Sequence, residues 1–204
     1  MVLRAAATVS GVSRVALEAL YRDGDDPWRH RSSRYERVKF ARTLASLARP
    51  RYRSILEIGC GNGELGRHLA RRAVRYTGLD AARRALAAAR VAVPEGHFVA
   101  RHLPAPLPDG EHDLVVLSEV LYFLDADGVR DVAEQIDTRW PTAEIVAVNY
   151  LGASAHVLDG ETAVGHFARA LRGDYTYRGH RLAPRYRIDA WLPARGTRGP
   201  AVRP

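Results

Sequence analysis

The residues of this chain that could do chemistry fall in three short stretches. The first is "ILEIGCGNGELG", Ile55 to Gly66. An apolar run leads into glycines, which let a backbone turn tightly and come close to a ligand. A helix starting there offers free N–H groups and a partial positive charge. The spacing reads in two ways. From Glu57 it is E-x-G-x-G-x-G, which suits S-adenosylmethionine and methyl transfer. From Gly61 it is G-x-G-x-x-G, which suits a dinucleotide and hydride transfer. Glycine spacing does not choose between them, but Glu57 does. A carboxylate two residues before Gly59 repels a pyrophosphate and suits a cationic group, such as the ammonium of a methionine moiety, directly or through a local network.

The second stretch ends at Asp80, about 20 residues beyond Gly61, where a carboxylate can accept both hydroxyls of a ribose. That serves either nucleotide, and Asp80 could equally cap the helix that follows. The third is "DLVVLSEVLYFL", Asp113 to Leu124, an apolar run ending in Ser118 and Glu119, with Tyr122 and Phe123 just beyond. A carboxylate at the end of such a strand can orient a nucleophile or take its proton. Glu119 is the first candidate for that role and Tyr122 the second. The plainer alternatives are a structural hydrogen bond for Glu119 and interior packing for Tyr122 and Phe123.

These stretches need elements to hold them. Ser32 or Ser33 can cap a helix reaching Leu47, with Tyr35, Val38, Phe40, Ala41, Leu44 and Leu47 in a mostly helical period. Strands are expected at 54–58, 75–79, 97–100, 113–117 and 144–148. Helices are expected at 63–72, 81–93, 125–140 and 161–171. Residues 174–178 and 185–191 read as a closing hairpin. Strands alternating with helices give an α/β fold: a Rossmann-like, doubly wound, mostly parallel seven-stranded sheet, with ligands at the carboxyl ends of its strands. Residues 1–32 read as a leader and lid segment containing a short helix or frayed stretch, 33–193 as the single domain, and 194–204 as a disordered tail.

Composition narrows the classes. The chain has 204 residues, 47% of them hydrophobic, enough for one domain with a real core. No apolar run reaches the roughly 18 residues of a membrane span, and the N-terminal stretch lacks the apolar centre of a secretory signal. The one cysteine, Cys60, excludes an internal disulfide and a multi-cysteine zinc site. It reads as a small residue in a tight loop, and a cytoplasmic protein is expected. The formal net charge is +8, which taken alone invites a nucleic-acid partner. However, Lys39 is the only lysine, and the arginines are dispersed without aromatic interleaving. An ordinary basic surface is expected, with no nucleic acid and no membrane as partner. His156, His166 and His180 lack metal-ligand spacing, so no metal is expected. Glu64 reads as a favourable first-turn charge.

The combination of "LEIGCGNG", Asp80 and "DLVVLSEVLYFL" resembles the class I S-adenosylmethionine-dependent methyltransferases, over roughly residues 30–150. "DPWRHRSSRYERVKFARTLASL" (Asp26 to Leu47) and "RYRIDAW" (Arg185 to Trp191) are similar to the nodulation protein S (NodS-like) N-methyltransferases, which act on a glucosamine unit of a chitooligosaccharide. The resemblance implies S-adenosyl-L-methionine as cofactor and a small-molecule methyl acceptor, with an amine nitrogen of an amino sugar or related metabolite as target. It also implies that Gly59, Cys60 and Gly61 line the methionine and ribose, that Asp80 holds the ribose, and that the adenine lies near Ala81. Ser118 and Glu119 would face the sulfonium. Trp28 and Tyr35 would form a lid, with Tyr35 or Arg34 reaching the carboxylate; packing in the core is the plain alternative for Trp28. One departure stands out. Many members carry an acid after the third strand to accept the adenine amino group, and here that position is His102. A neutral imidazole accepts one hydrogen bond, so its tautomer matters. The remaining alternatives are an inactive S-adenosylmethionine-binding regulator and an NAD(P)-dependent oxidoreductase.

Overall fold

The computed structural model describes residues 7–8, 11–152 and 156–194. The elements in chain order are β1 (Ala7–Thr8), β2 (Gly11–Val12), α1 (Arg14–Leu20), α2 (Arg34–Ser46), β3 (Tyr52–Ile58), α3 (Gly66–Ala70), β4 (Ala73–Asp80), α4 (Arg83–Ala92) and β5 (His97–Ala100). After them come β6 (Leu114–Ser118), a 3₁₀ turn (Leu121–Phe123), α5 (Ala126–Arg139), β7 (Glu144–Tyr150), α6 (Gly160–Ala170), β8 (Tyr175–Ala183) and β9 (Tyr186–Pro193). The central sheet has the order β5-β4-β3-β6-β7-β9-β8. Its pairs from β5 through β7 are parallel, and β9 runs antiparallel to both β7 and β8. This is a Rossmann-like α/β fold.

Side-chain alternation divides the core in two. Leu56 and Ile58 of β3, Val115 and Leu117 of β6, and Ile145 and Ala147 of β7 pack with Val129, Ile136 and Phe167 of α5 and α6. Ile55, Leu114, Val116, Val146 and Val148 face the other way, toward Phe40 of α2, Leu69 of α3 and Leu86 of α4. Burial on both faces explains why these strands read as nearly continuous apolar runs. Two acids break these runs, Glu57 within β3, fully buried, and Glu144 at the start of β7, nearly so.

Several boundaries moved. The helix expected at 63–72 shrinks to α3, because Gly63 has φ +81° and cannot enter a right-handed helix. The strand expected from Ser54 begins at Tyr52, which pairs with Ala73. Around residues 11–32, α1 is capped by Ser13, whose hydroxyl accepts from the Ala16 N–H, and Val12 and Tyr21 are buried. α2 begins after Ser33, whose hydroxyl accepts from the Glu36 N–H. The tail expected to be disordered lies outside the described residues from 195 onward. Among the described residues, no helix is long and apolar enough to cross a membrane.

Candidate active site

From β3 the chain steps outward to β4 and β5, then returns to β6 on the other side of β3. Strand order reverses between β3 and β6, and the carboxyl ends of the strands splay apart there. A cavity of about 480 Å³ opens at this point, within the range usual for small-molecule sites. Every residue expected at the site lines this cavity, Arg34 excepted: Trp28, Tyr35, Glu57, Gly59, Cys60, Gly61, Asp80, Ala81, His102, Ser118, Glu119 and Tyr122. Arg34 is exposed at the first turn of α2 and stands outside the cavity wall. A helix turns about 100° per residue, so with Tyr35 turned inward its neighbour falls on the outer side.

The glycine loop follows the reading that starts at Glu57. Gly59, Gly61 and Gly63 have φ +82°, +52° and +81°, a region costly for residues with a Cβ. A Cβ on Gly59 would meet the Ser118 carbonyl oxygen at 2.5 Å, so this glycine lets β3 and β6 close together. A Cβ on Gly61 would meet only the Tyr21 hydroxyl, at 3.4 Å. Gly66 instead admits the Tyr76 ring between α3 and β4. Asp80 holds the loop: its Oδ2 accepts from the Gly61 N–H at 2.8 Å, and its Oδ1 from the Ala82 N–H at 2.9 Å. Asp80 thus braces the loop and lines the pocket, while α4 starts after Ala82 with no side-chain cap of its own. The Cys60 thiol is buried, and burial, with Asp80 and Glu57 nearby, holds its pKa well above the ordinary value. It stays protonated, which rules out a thiolate nucleophile.

Glu57 faces the cavity from beneath the loop. Its Oε2 accepts from the Tyr76 hydroxyl at 2.5 Å, while its Oε1 is buried without a partner. Burial raises its pKa to about 8, against the opposing pull of the Tyr76 and Ser118 hydroxyls. Oε1 is the part of this carboxyl that a further donor could reach.

Residues 11–31 roof the cavity. Trp28 is 43% exposed, stacks on His30 at 5.8 Å and meets Tyr21 edge-on at 5.4 Å. Asp26 pins this segment to the glycine loop: its Oδ1 accepts from the His30 N–H at 2.7 Å and from Asn62 Nδ2 at 3.0 Å. Farther along, His102 Nε2 lies 2.8 Å from the Val12 carbonyl oxygen. Since a carbonyl only accepts, the proton is assigned to Nε2, which leaves Nδ1 as an acceptor.

The opposite end carries a charge network that sequence reading did not anticipate. Glu119, at φ +55°, accepts from Lys39 Nζ at 2.6 Å through Oε1 and from the Tyr122 hydroxyl at 2.7 Å through Oε2. Lys39 also lies 2.9 Å from Glu36 Oε2. Burial pulls the Lys39 pKa down, but Glu119 and Glu36 outweigh it and hold it above its usual value. Each oxygen of Glu119 already holds a donor, which weakens its candidacy as the group that takes a proton. His156, which the sequence marked only by its lack of metal-ligand spacing, lines the cavity, stacked on Tyr122 at 5.4 Å and against Phe123 at 4.3 Å. Burial lowers its pKa. The clues for Glu36 and Lys39 were a lone lysine in an arginine-rich chain and an i,i+3 spacing to an acid; for His156 there was none. Tyr35 Oη is buried at the cavity without a partner.

A methyltransferase-domain family matches residues 55–139, from β3 through α5. A Pseudomonas syringae protein assigned as a methyltransferase is 31% identical in sequence; the match covers 78% of this chain and 98% of that one, with a TM-score of 0.67. The chain belongs to the class I S-adenosylmethionine-dependent methyltransferases. The cofactor of the methyltransferase is thus S-adenosylmethionine, and the dinucleotide reading falls. Two more distant structures share the fold. The N-methyltransferase NodS from Bradyrhizobium japonicum WM9, in complex with S-adenosyl-L-homocysteine, is 21% identical with TM-score 0.76, the match covering 89% of this chain and 98% of that one. Magnesium protoporphyrin IX methyltransferase from Synechocystis PCC 6803, with bound S-adenosylmethionine, is 13% identical with TM-score 0.65, covering 89% and 97%. No curated protein sequence matches the chain significantly.

Proposed function

We propose that this methyltransferase acts on an amine nitrogen of a small molecule, in the manner of the NodS-like enzymes that methylate amino sugars. The observation that carries this is the charge at the inner end of the cavity. Two carboxylates, Glu36 and Glu119, surround one ammonium, Lys39, leaving a net negative charge that draws in a cationic acceptor.

The cofactor supplies a methyl group already activated on a sulfonium. The residues present fit it. Gly59 and Gly61 give backbone access, Asp80 takes the ribose hydroxyls, and Ala81 and His102 flank the adenine. The free Oε1 of Glu57 receives the ammonium, and the orphaned Tyr35 hydroxyl receives the carboxylate. Ser118 faces the sulfonium, and Trp28 covers it.

The protein's remaining task is to position and desolvate the acceptor. An amine must be neutral to attack, so a proton has to leave. Glu119, clamped by Lys39 and Tyr122, orients the nitrogen. His156, neutral through burial, receives the proton and passes it to water. The test is an acceptor panel of amino sugars, simple amines and phenols, read by release of S-adenosylhomocysteine. Amines are expected to turn over, with the Glu119→Gln and His156→Gln variants each slowed at least tenfold. Turnover of phenols alone would sink the nitrogen assignment, and full activity of either variant would remove its residue from the mechanism.

A further inference from the structure

The position that departs from the usual acid is tied to the roof of the cavity. His102 Nε2 meets the Val12 carbonyl oxygen at 2.8 Å, and Val12 is buried directly before α1. Val12, Leu17 and Leu20 of the roof and Ala81, His102 and Leu103 all line the cavity, and the Val12–His102 contact joins the two groups; these mostly apolar side chains suit a purine ring. A neutral imidazole carries one proton. If that proton sits on Nε2, the roof is bonded and Nδ1 is an acceptor. If it sits on Nδ1, the slot sees a donor and Nε2 turns a lone pair on the Val12 carbonyl, which cannot answer it. A carboxylate at this position accepts from a base but could never donate to Val12.

We infer that His102 couples recognition of the purine 6-amino group to docking of residues 11–31, so that only a 6-amino base and a closed roof are compatible with one tautomer. This rests on the placement of the adenine proposed above. A base with a 6-oxo group presents an acceptor to Nδ1. It must either tolerate two opposed lone pairs or shift the proton and release Val12. His102 is thus a positioning residue for the roof as well as a reader of the base.

Two ligands test this on the intact protein without any methyl acceptor: S-adenosylhomocysteine and its deaminated 6-oxo counterpart, S-inosylhomocysteine. Calorimetry gives affinities, and hydrogen exchange reports the amides of residues 11–31. S-adenosylhomocysteine is expected to protect those amides. The 6-oxo ligand is expected to bind about tenfold or more weaker, the cost of an unmade buried hydrogen bond, and to protect them less. His102→Leu should lose affinity for S-adenosylhomocysteine and discriminate little between the two. His102→Gln, whose amide can donate to Val12 and accept from the base, should restore both properties. Equal binding and equal protection by the two ligands in the wild type would overturn the coupling whatever the variants do. Binding of neither ligand would remove the cofactor placement, and this proposal with it.

Discussion

Lys39 Nζ lies 2.6 Å from Glu119 Oε1, joining α2 to the end of β6 across 80 residues of chain. The only lysine of the protein is 5% exposed, between two acids. Removing one partner of a buried ion pair costs about 3–5 kcal/mol, because it strands the other charge. Lys39→Met is therefore expected to lower the melting temperature by roughly 6–20 °C, at about 2–4 °C per kcal/mol for a chain of this size. Adding Glu119→Gln should recover part of that loss. A thermal melt of the single and double variants decides it; equal melting temperatures for wild type and Lys39→Met would show the pair to be dispensable.

With Glu57 placed against the cofactor ammonium as proposed above, binding is expected to be a proton-linked event. The Glu57 pKa is raised to about 8 chiefly by burial, so the carboxyl is protonated in the free protein at pH 7. An arriving ammonium favours the carboxylate, so binding should release a proton between roughly pH 4.5 and 8. Calorimetry with S-adenosylhomocysteine in phosphate and in Tris would read the release as a difference in apparent enthalpy, and Glu57→Gln should abolish it. The sign for stability follows from the same shift. A carboxyl whose folded pKa lies above its unfolded value contributes stability in full below about pH 4.3 and loses it as pH rises to about 8.

Gly59 and Gly61 separate folding from binding. Both have positive φ, but a Cβ on Gly59 strikes backbone of β6 at 2.5 Å, whereas on Gly61 it meets a side-chain hydroxyl at 3.4 Å. Gly59→Ala is expected to be poorly folded. Gly61→Ala should fold, less stable by about 1–2 kcal/mol, and bind S-adenosylhomocysteine at least tenfold more weakly. Circular dichroism and calorimetry on both variants check this ordering, and a well-folded, tight-binding Gly61→Ala would contradict it.

Asp26 accepts from the His30 N–H, the Arg31 N–H and Asn62 Nδ2. Asp26→Ala should loosen the roof where it meets the glycine loop without melting the sheet. Faster tryptic cleavage around Arg29 and Arg31, at a nearly unchanged melting temperature, is the expected result. Unchanged cleavage would mean that the Trp28 and Tyr21 contacts hold the roof unaided.

The sheet was legible because β3, β6 and β7 are buried on both faces and read as apolar runs between turns. The antiparallel edge was legible because the two closing strands are too near in sequence for a crossover. That Glu57, the glycines and Asp80 line one cavity was legible for a local reason: they sit at or beside strand ends whose order the fold dictates. The acceptor end was not. Lys39 and Glu119, or Tyr122 and His156, meet only through tertiary packing, and no local pattern announces such partners. Of Tyr35 and Arg34, both offered for the carboxylate, only Tyr35 lines the cavity, because one residue on a helix is enough to exchange it for solvent. His102 was found by its position, but its bond to Val12 depends on a backbone carbonyl, which residue types do not reveal.

The Val12 carbonyl and His102 are separated by 90 residues. During synthesis the roof therefore leaves the ribosome long before the floor it closes on. Until β6 and the turn at Leu121–Phe123 have formed, Tyr21, Trp28 and Phe40 have no cavity to cover and remain available to one another or to a chaperone. The roof closes on a floor made of later chain, so a ligand that bridges the two ties the first residues made to some of those made much later and stabilises the folded state as a whole.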